Sequence, residues 1–390
     1  MMRDWKLAPL NLCPGPIWNA VRILLAALAV LAAANAGTWE IGTVDGAIGG
    51  SFSSLKIDTF GNAHVAYVAE SGGILQYSFW DHRLRKWFTT NLDQATGFCT
   101  LVLDSKQRPH ISYPQFGNLK YAYWDGSAWQ KQSVQVPSKE TTFYTSIALS
   151  PGDNPSISYY ENISGSAEQM LRLRIVARNS NYWELVTVDQ QRGSGKFNSL
   201  AIDSAGRPHV AYGNVQYENA SLRYAYWDGT QWNKQILEGA GVPGTYRQAV
   251  MLFLDKHDIP HIAYLDTLTL IVKYATQVHG KWELHSIDSI GSAAYPDRNG
   301  IALDEQGTPY ISYYDAKIGV LKVAYPQQQK WMTEVVDSGF AGFTSSLQIY
   351  DGTIWVTYSG GPAAPLRFAR RSLPKPPVPD ARSQARSEPK

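Results

Sequence analysis

Tryptophan recurs at one point of a repeating unit, at Trp39, Trp87, Trp129, Trp183, Trp232, Trp282 and Trp331. A period of about 40 to 50 residues with one aromatic anchor per unit fits four-stranded propeller blades, whereas helical solenoids repeat at shorter intervals and with helical periodicity. Each unit opens on an apolar strand that ends at an acid or turn residue: Asp58, Asp104, Ser150, Asp203, Asp255, Asp304 and Tyr350. These closing residues lie 46, 46, 53, 52, 49 and 46 positions apart, so length varies only in a few connections. A second strand follows a Gly- or Pro-bearing turn and closes on Tyr67, Tyr113, Tyr159, Tyr212, Tyr264, Tyr313 or Tyr358. A third alternating strand turns into the fourth, through Asp125-Gly126 and Asp228-Gly229 in two units. Asp-Gly between alternating runs is a hairpin signal, because the central turn residues must accept positive φ.

The expected fold is therefore all-β: a seven-bladed β-propeller of four-stranded antiparallel blades. The seventh unit has no fourth strand of its own, because a proline-rich stretch follows Arg371. The sequence from Trp39 to Asp45 has the outer-strand pattern that begins at Trp183, Trp282 and Trp331. The N-terminal strand is expected to complete the last blade, which removes an open edge. The propeller then spans residues 37–371.

Residues 23–34 are apolar, follow Arg22, and lead to a small-residue site before Gly37. Such a run is short for a membrane span, and residues 1–36 read as a signal peptide cleaved after Ala36, with an uncleaved anchor as the alternative. A secreted or periplasmic protein is expected, with no membrane attachment after cleavage. Residues 372–390, rich in proline and charge, read as a disordered tail. Cleavage removes Arg3, Lys6, Arg22 and Asp4, taking 35 basic and 33 acidic groups to 32 of each. A neutral chain without a basic stripe argues against nucleic acid. Cys99, the remaining cysteine, reads as a small core residue. A monomer without cofactor is expected.

In a propeller the turns after strands one and three share one face, and the connections after strands two and four share the other. The second set is the irregular one here, and irregular loops on a rigid scaffold are where binding residues concentrate. Before strand one, the first four units present Phe52, Phe98, Tyr144 and Phe197, whereas the last three present Ala249, Arg298 and Thr344. Lys196, Arg247 and Asp297 are close by in sequence, and Tyr160, Glu161, Asp266, Tyr314 and Asp315 follow the second strands. Lys196, Arg247, Asp297, Arg298, Glu161 and Tyr160 are candidate ligand contacts, able to converge on a polar ligand such as a sugar or carboxylate. Asp266 and Asp315, with Tyr314 in support, are candidate catalytic groups. Each has a plainer reading, the acids as turn formers and the cations as a solvated rim or interblade ion pairs. His64, His110, His209 and His261 recur at matching points of separate units, which suits bonds to neighbouring strands better than a metal site.

The unit from Ser199 to Tyr212, followed by the run from Leu222 to Gly229, resembles the repeats of secreted bacterial seven-bladed propeller proteins and is loosely similar to the sialidase-like repeat group. The resemblance covers essentially the whole mature chain. The sialidase Asp-box pattern is only partly matched: the run Asp304-Glu-Gln-Gly-Thr-Pro lacks both its leading serine and its closing tryptophan. The N-terminal arginine motif is also missing, so the group's arginine triad, tyrosine nucleophile and glutamate find no positions here. Arg247 and Arg298 retain a remote analogy. The function expected from this reading is non-enzymatic binding of a glycan or extracellular protein on the irregular face. The alternative is a glycan-processing hydrolase or lyase.

Overall fold

The structure is a computed structural model that describes residues 37–44, 49–69, 73–134, 141–163, 170–179, 182–215, 220–239, 247–292, 299–339, 341–361 and 364–374. The expected signal segment and nearly all of the tail lie outside these residues. The chain divides into two units, residues 39–370 and the two terminal segments 1–38 and 371–390. The terminal unit is described only at residues 37–38 and 371–374, where Arg371 and Ser372 end a strand.

The larger unit is an all-β propeller of four-stranded antiparallel blades. Among the described residues the strands assort into seven such sheets, all but one built from four strands consecutive in sequence. The innermost strands are, in chain order, Ser51–Ile57, Thr100–Leu103, Thr141–Leu149, Ser194–Ile202, Arg247–Leu254, Gly300–Leu303 and Ser345–Tyr350. The exception is the last sheet, where Glu40–Thr43 pairs antiparallel with Leu366–Ser372 in the register Glu40 to Arg370 and Thr43 to Arg367. That edge carries a bidentate ion pair from Arg370 to Glu40 at 2.8 Å, with the guanidinium stacked on Trp80 and Trp355.

The core lies between sheets rather than within them. Ala66, Val68 and Leu75 of the first sheet pack with Leu101, Ile111 and Tyr113 of the second, and similar mixed clusters fill other seams. Each sheet has two apolar faces and must bury both, which stacking around an axis achieves. The recurring tryptophans belong to these seams. Trp129, Trp183, Trp282 and Trp331 pack edge-on against Tyr77, Tyr121, Tyr224 and Tyr274 of the preceding sheet, with centroids 4.9 to 5.4 Å apart. Edge-to-face geometry at such distances adds to simple area burial.

Hydroxyls stitch the innermost strands together. Leu101, Ile147, Leu200 and Leu252 each donate a backbone N–H to Ser54, Thr100, Ser146 and Ser199 of the preceding sheet, all at 3.0 Å. Leu55 of the first sheet donates in the same way to Ser346 of the last, at 3.0 Å. The corresponding positions of the fifth and sixth sheets are Met251 and Gly300, which offer no hydroxyl. Gly300 is there for room: a Cβ would stand 2.5 Å from Ser312 Oγ and 2.6 Å from Leu347 N. Gly300→Ala should therefore cost about 1 to 3 kcal/mol through overpacking. A thermal melt identical to the parent would contradict this close approach.

The hairpins at Asp125 and Asp228 form as expected, but by different chemistry. Gly126 and Gly229 have positive φ, of 109° and 105°, whereas neither aspartate does. The Asp125 carboxylate instead accepts the N–H groups of Ser127 and Ala128, and Asp228 those of Thr230 and Gln231. Side-chain capping of the loop replaces the double left-handed turn.

Candidate functional site

Bulges re-aim the chain where the innermost strands begin. Register shifts separate Ser51 from Ser54, Lys196 from Ser199 and Gln248 from Met251, and within them Phe52, Phe197 and Ala249 take φ of 58°, 53° and 50°. Left-handed backbone is costly for residues with a Cβ and persists where surrounding structure over-determines it, as at ligand clamps. The determinants are visible. Asn198 donates to Gly195 O within its own bulge, and Thr344 of the last sheet accepts the N–H of Phe52 at 3.2 Å.

The result is a continuous aromatic arc across four sheets. Ring centroids are 4.2 Å apart for Phe52 and Phe98, 5.0 Å for Phe98 and Tyr144, and 4.6 Å for Tyr144 and Phe197. Phe52 and Tyr144 are half-buried, and Phe98 and Phe197 are buried. Tyr160 meets the edge of Tyr144, and the Lys196 ammonium lies 5.8 Å from the Tyr160 ring centroid. Burial pushes the Lys196 ammonium below the usual lysine range and the Tyr160 phenol above the usual phenol range. Thus Lys196 and Tyr160 come together at the end of the arc. Past Phe197 the arc stops at the buried Ala249.

The acids go elsewhere. Asp266 is buried and takes an ion pair from Lys273 at 2.8 Å, and the same ammonium reaches Glu238 of the preceding sheet at 2.6 Å. One sheet on, Lys322 bridges Asp315 at 2.6 Å and Asp288 of the preceding sheet at 2.9 Å. In each seam the strand-two tyrosine joins from the side, with Tyr264 donating to Glu238 and Tyr313 to Asp288. Asp266 and Asp315 are therefore each tied to a lysine of their own sheet, at two different seams. Tyr314 is buried against Phe343 at 4.5 Å, and Glu161 is buried in the third sheet. Arg247 begins the innermost strand of the fifth sheet opposite Asp266 in register, its side chain outside the described portion. Asp297 and Arg298 lie outside the described residues, as do 164–169, 216–219 and 240–246 of the irregular connections.

Lys273 and Lys322 escaped the sequence reading. A basic residue stands at matching points of third strands, at Lys120, Arg174, Arg223, Lys273, Lys322 and Arg367, and that recurrence was the available signal.

Four histidines tie strands together within their sheets. In four sheets the ring bridges an aspartate at the end of strand one and a tyrosine of strand three: Asp58–His64–Tyr77, Asp104–His110–Tyr121, Asp203–His209–Tyr224 and Asp255–His261–Tyr274. The aspartate also organises the turn, as where Asp203 accepts the N–H groups of Ala205 and Arg207. Burial holds His110, His209 and His261 below the ordinary imidazole range, outweighing the carboxylate that faces each ring. An unfolded imidazole takes its proton near pH 6.5. The folded rings take theirs only at lower pH, so the unfolded state binds more protons as pH falls below about 6.5. Stability is full above that value and drains as pH drops toward the folded values, by up to about 1.4 kcal/mol per pH unit for each ring. Tm should fall steadily between pH 7 and pH 5, and a Tm flat across that window would contradict this assignment.

The innermost strands surround a channel cavity of about 470 Å³, with Lys56, Gln107, Phe253 and Gln348 among its lining residues. Gln107 belongs to a strand-one turn, so this cavity reaches toward the short-turn side. Phe98, Tyr144 and Phe197 line a smaller cavity at the start of those strands, which shares Thr100, Ser146, Ser199 and Met251 with the first. Among the described residues no cluster of three metal-ligating side chains occurs.

No family model matches the chain, and no curated protein does. Solved structures do match. A polysaccharide lyase is 9% identical with a TM-score of 0.53, over 83% of this chain and 90% of that one. The fucose-specific lectin from Aleuria aurantia is 14% identical with a TM-score of 0.50, over 74% of this chain and 96% of that one. A Hadza microbial sialidase is 11% identical with a TM-score of 0.47, over 83% of this chain and 66% of that one. At these identities the likeness is one of fold, that of β-propellers with glycan-related members, and function is argued from the site.

Proposed function

We propose that this protein is an exported, non-enzymatic glycan-binding propeller, its ligand lying on the aromatic arc from Phe52 to Phe197 with Lys196 at one end. The seven sheets form one closed ring in this reading, supported by the pairing of Glu40–Thr43 with Leu366–Ser372 and by the hydroxyl bridge from Ser346 to Leu55. The observation that carries the function is the arc itself. Its four rings line up at one end of the innermost strands, Phe52 and Phe197 on strained bulges, next to a desolvated cation. Aromatic faces pack against the apolar face of a sugar ring, and a cation orients its polar substituents. The lysine pairing of Asp266 and Asp315 supports binding over turnover, because hydrolysis needs two carboxyl groups flanking one bond. Export with cleavage after Ala36 and a monomeric state complete the reading.

The test is a glycan and polysaccharide screen on residues 37–390, read for both binding and cleavage. Saturable binding without products is expected, weakened at least about tenfold by Tyr144→Ala or Lys196→Ala and also lowered by Arg298→Ala. Depolymerisation, or binding indifferent to all three substitutions, would sink the proposal.

A further inference from the structure

In a repeating fold, a departure from the repeat at one corner is informative. The third and fourth strands of the second and fourth sheets are joined through Asp-Gly loops of small polar residues, and those of the fifth and sixth through His279-Gly280 and Gln328-Gln329. In the first sheet the same connection, residues 82–85, reads His82, Arg83, Leu84, Arg85, and Lys86 follows. All five are exposed, Leu84 to 66%. The neighbouring turn of that sheet carries Phe60, exposed to 68%.

The two turns form one rigid corner. His82 donates its N–H to Asn62 Oδ1 at 2.9 Å, and a Cβ on Gly61 would stand 3.7 Å from the His82 ring. Asp81 Oδ1 accepts the N–H groups of Arg83 and Leu84, Asp81 O accepts that of Arg85, and Asp58 Oδ1 accepts that of Phe60. Of the acids nearby, Asp81 is committed to the turn's own backbone and Glu40 to Arg370. Arg83 and Arg85 thus flank Leu84 in sequence, on the corner that also carries Phe60, and Lys86 covers the exposed ring of Phe88.

We propose that this corner docks on an anionic phospholipid surface, with Phe60 and Leu84 entering the interface and Arg83, Arg85 and Lys86 among the headgroup phosphates. The tips are side chains on protruding turns rather than the floor of a groove. Protein hot spots are built from packed, desolvated pockets, whereas apolar tips ringed by cations suit a soft interface they can enter. Each basic residue near such a surface adds attraction that salt screens. Glu40, whose carboxyl is held low chiefly by Arg370, also feels Arg85.

The test is vesicle flotation of residues 37–390 on phosphatidylcholine alone and on phosphatidylcholine with about 30 mol% phosphatidylglycerol, at low salt and at about 0.5 M salt. Binding to the anionic vesicles only, lost at high salt, is expected. Phe60→Ser with Leu84→Ser, and separately Arg83→Glu with Lys86→Glu, should each lower it at least about tenfold with Tm unchanged. Absence of binding, equal binding to both vesicle types, or binding untouched by both double variants would overturn the proposal. Glycan binding by these variants should remain that of the parent, which separates failure here from failure of the arc.

Discussion

Removing residues 37–46 should turn a cooperatively melting protein into one that aggregates without a clear transition. Glu40–Thr43 supplies the outer strand of the seventh sheet. Without it the edge of Leu366–Ser372 is left unpaired, a template for other chains. Val44 is buried with Phe368, Leu366 and Trp80, and the Phe368 ring approaches Gly42 so closely that a Cβ there would sit 2.7 Å away. Arg370 would lose Glu40 while still stacked on two tryptophans. Sheet seven also holds the first sheet through Ser346 and Thr344, so a frayed last sheet loosens the arc at Phe52. Calorimetry with size-exclusion chromatography reads the outcome, and a soluble truncation with a sharp transition would contradict the account.

Lys322→Met should destabilise the protein by about 3 kcal/mol at pH 7, because one buried partner is removed and the others remain charged. Asp315 is buried, while Asp288 keeps some contact with solvent, which sets the effect at the lower end of what buried pairs show. Burial raises Asp288, but the hydrogen bonds from Lys322 and Tyr313 outweigh it and hold the carboxyl below the usual range. Its contribution is present above the unfolded value near pH 4 and lost as pH falls through the folded one. The penalty of Lys322→Met should therefore shrink as pH falls below about 4, and adding Asp315→Asn should recover part of it at pH 7. A substitution that left denaturant midpoints unchanged would return Asp315 to the list of groups free for chemistry.

The strands were legible because alternation, turn residues and the tyrosine and tryptophan anchors repeat, and each anchor performs one seam contact many times over. Glu40–Thr43 was legible as a displaced outer strand for the same reason. Asp266 and Asp315 were not, because an acid after a strand serves equally as turn former, strut or catalyst, and the sequence does not show that Lys273 and Lys322 on the neighbouring strands pair with them. The mouth was half legible. Its aromatic residues could be aligned, but the bulges that bring Phe52 and Phe197 into line with Phe98 and Tyr144 depend on Thr344, 292 residues from Phe52, and on the local amide bond of Asn198. At Asp125 the right hairpin was read for the wrong reason, since a carboxylate cap can do what a left-handed aspartate would have done.

The seal between the chain's two ends is tested most directly by a disulfide. Glu40 and Arg370 are register partners, and Cys99 is a buried cysteine, remote from them in sequence. In residues 37–390 carrying Glu40→Cys and Arg370→Cys, mild oxidation should form the bond quantitatively and raise Tm above that of the same variant reduced, by a constraint of about 5 kcal/mol on the unfolded chain. A pair that stays reduced, or a bond that leaves Tm where it was, would contradict the seal.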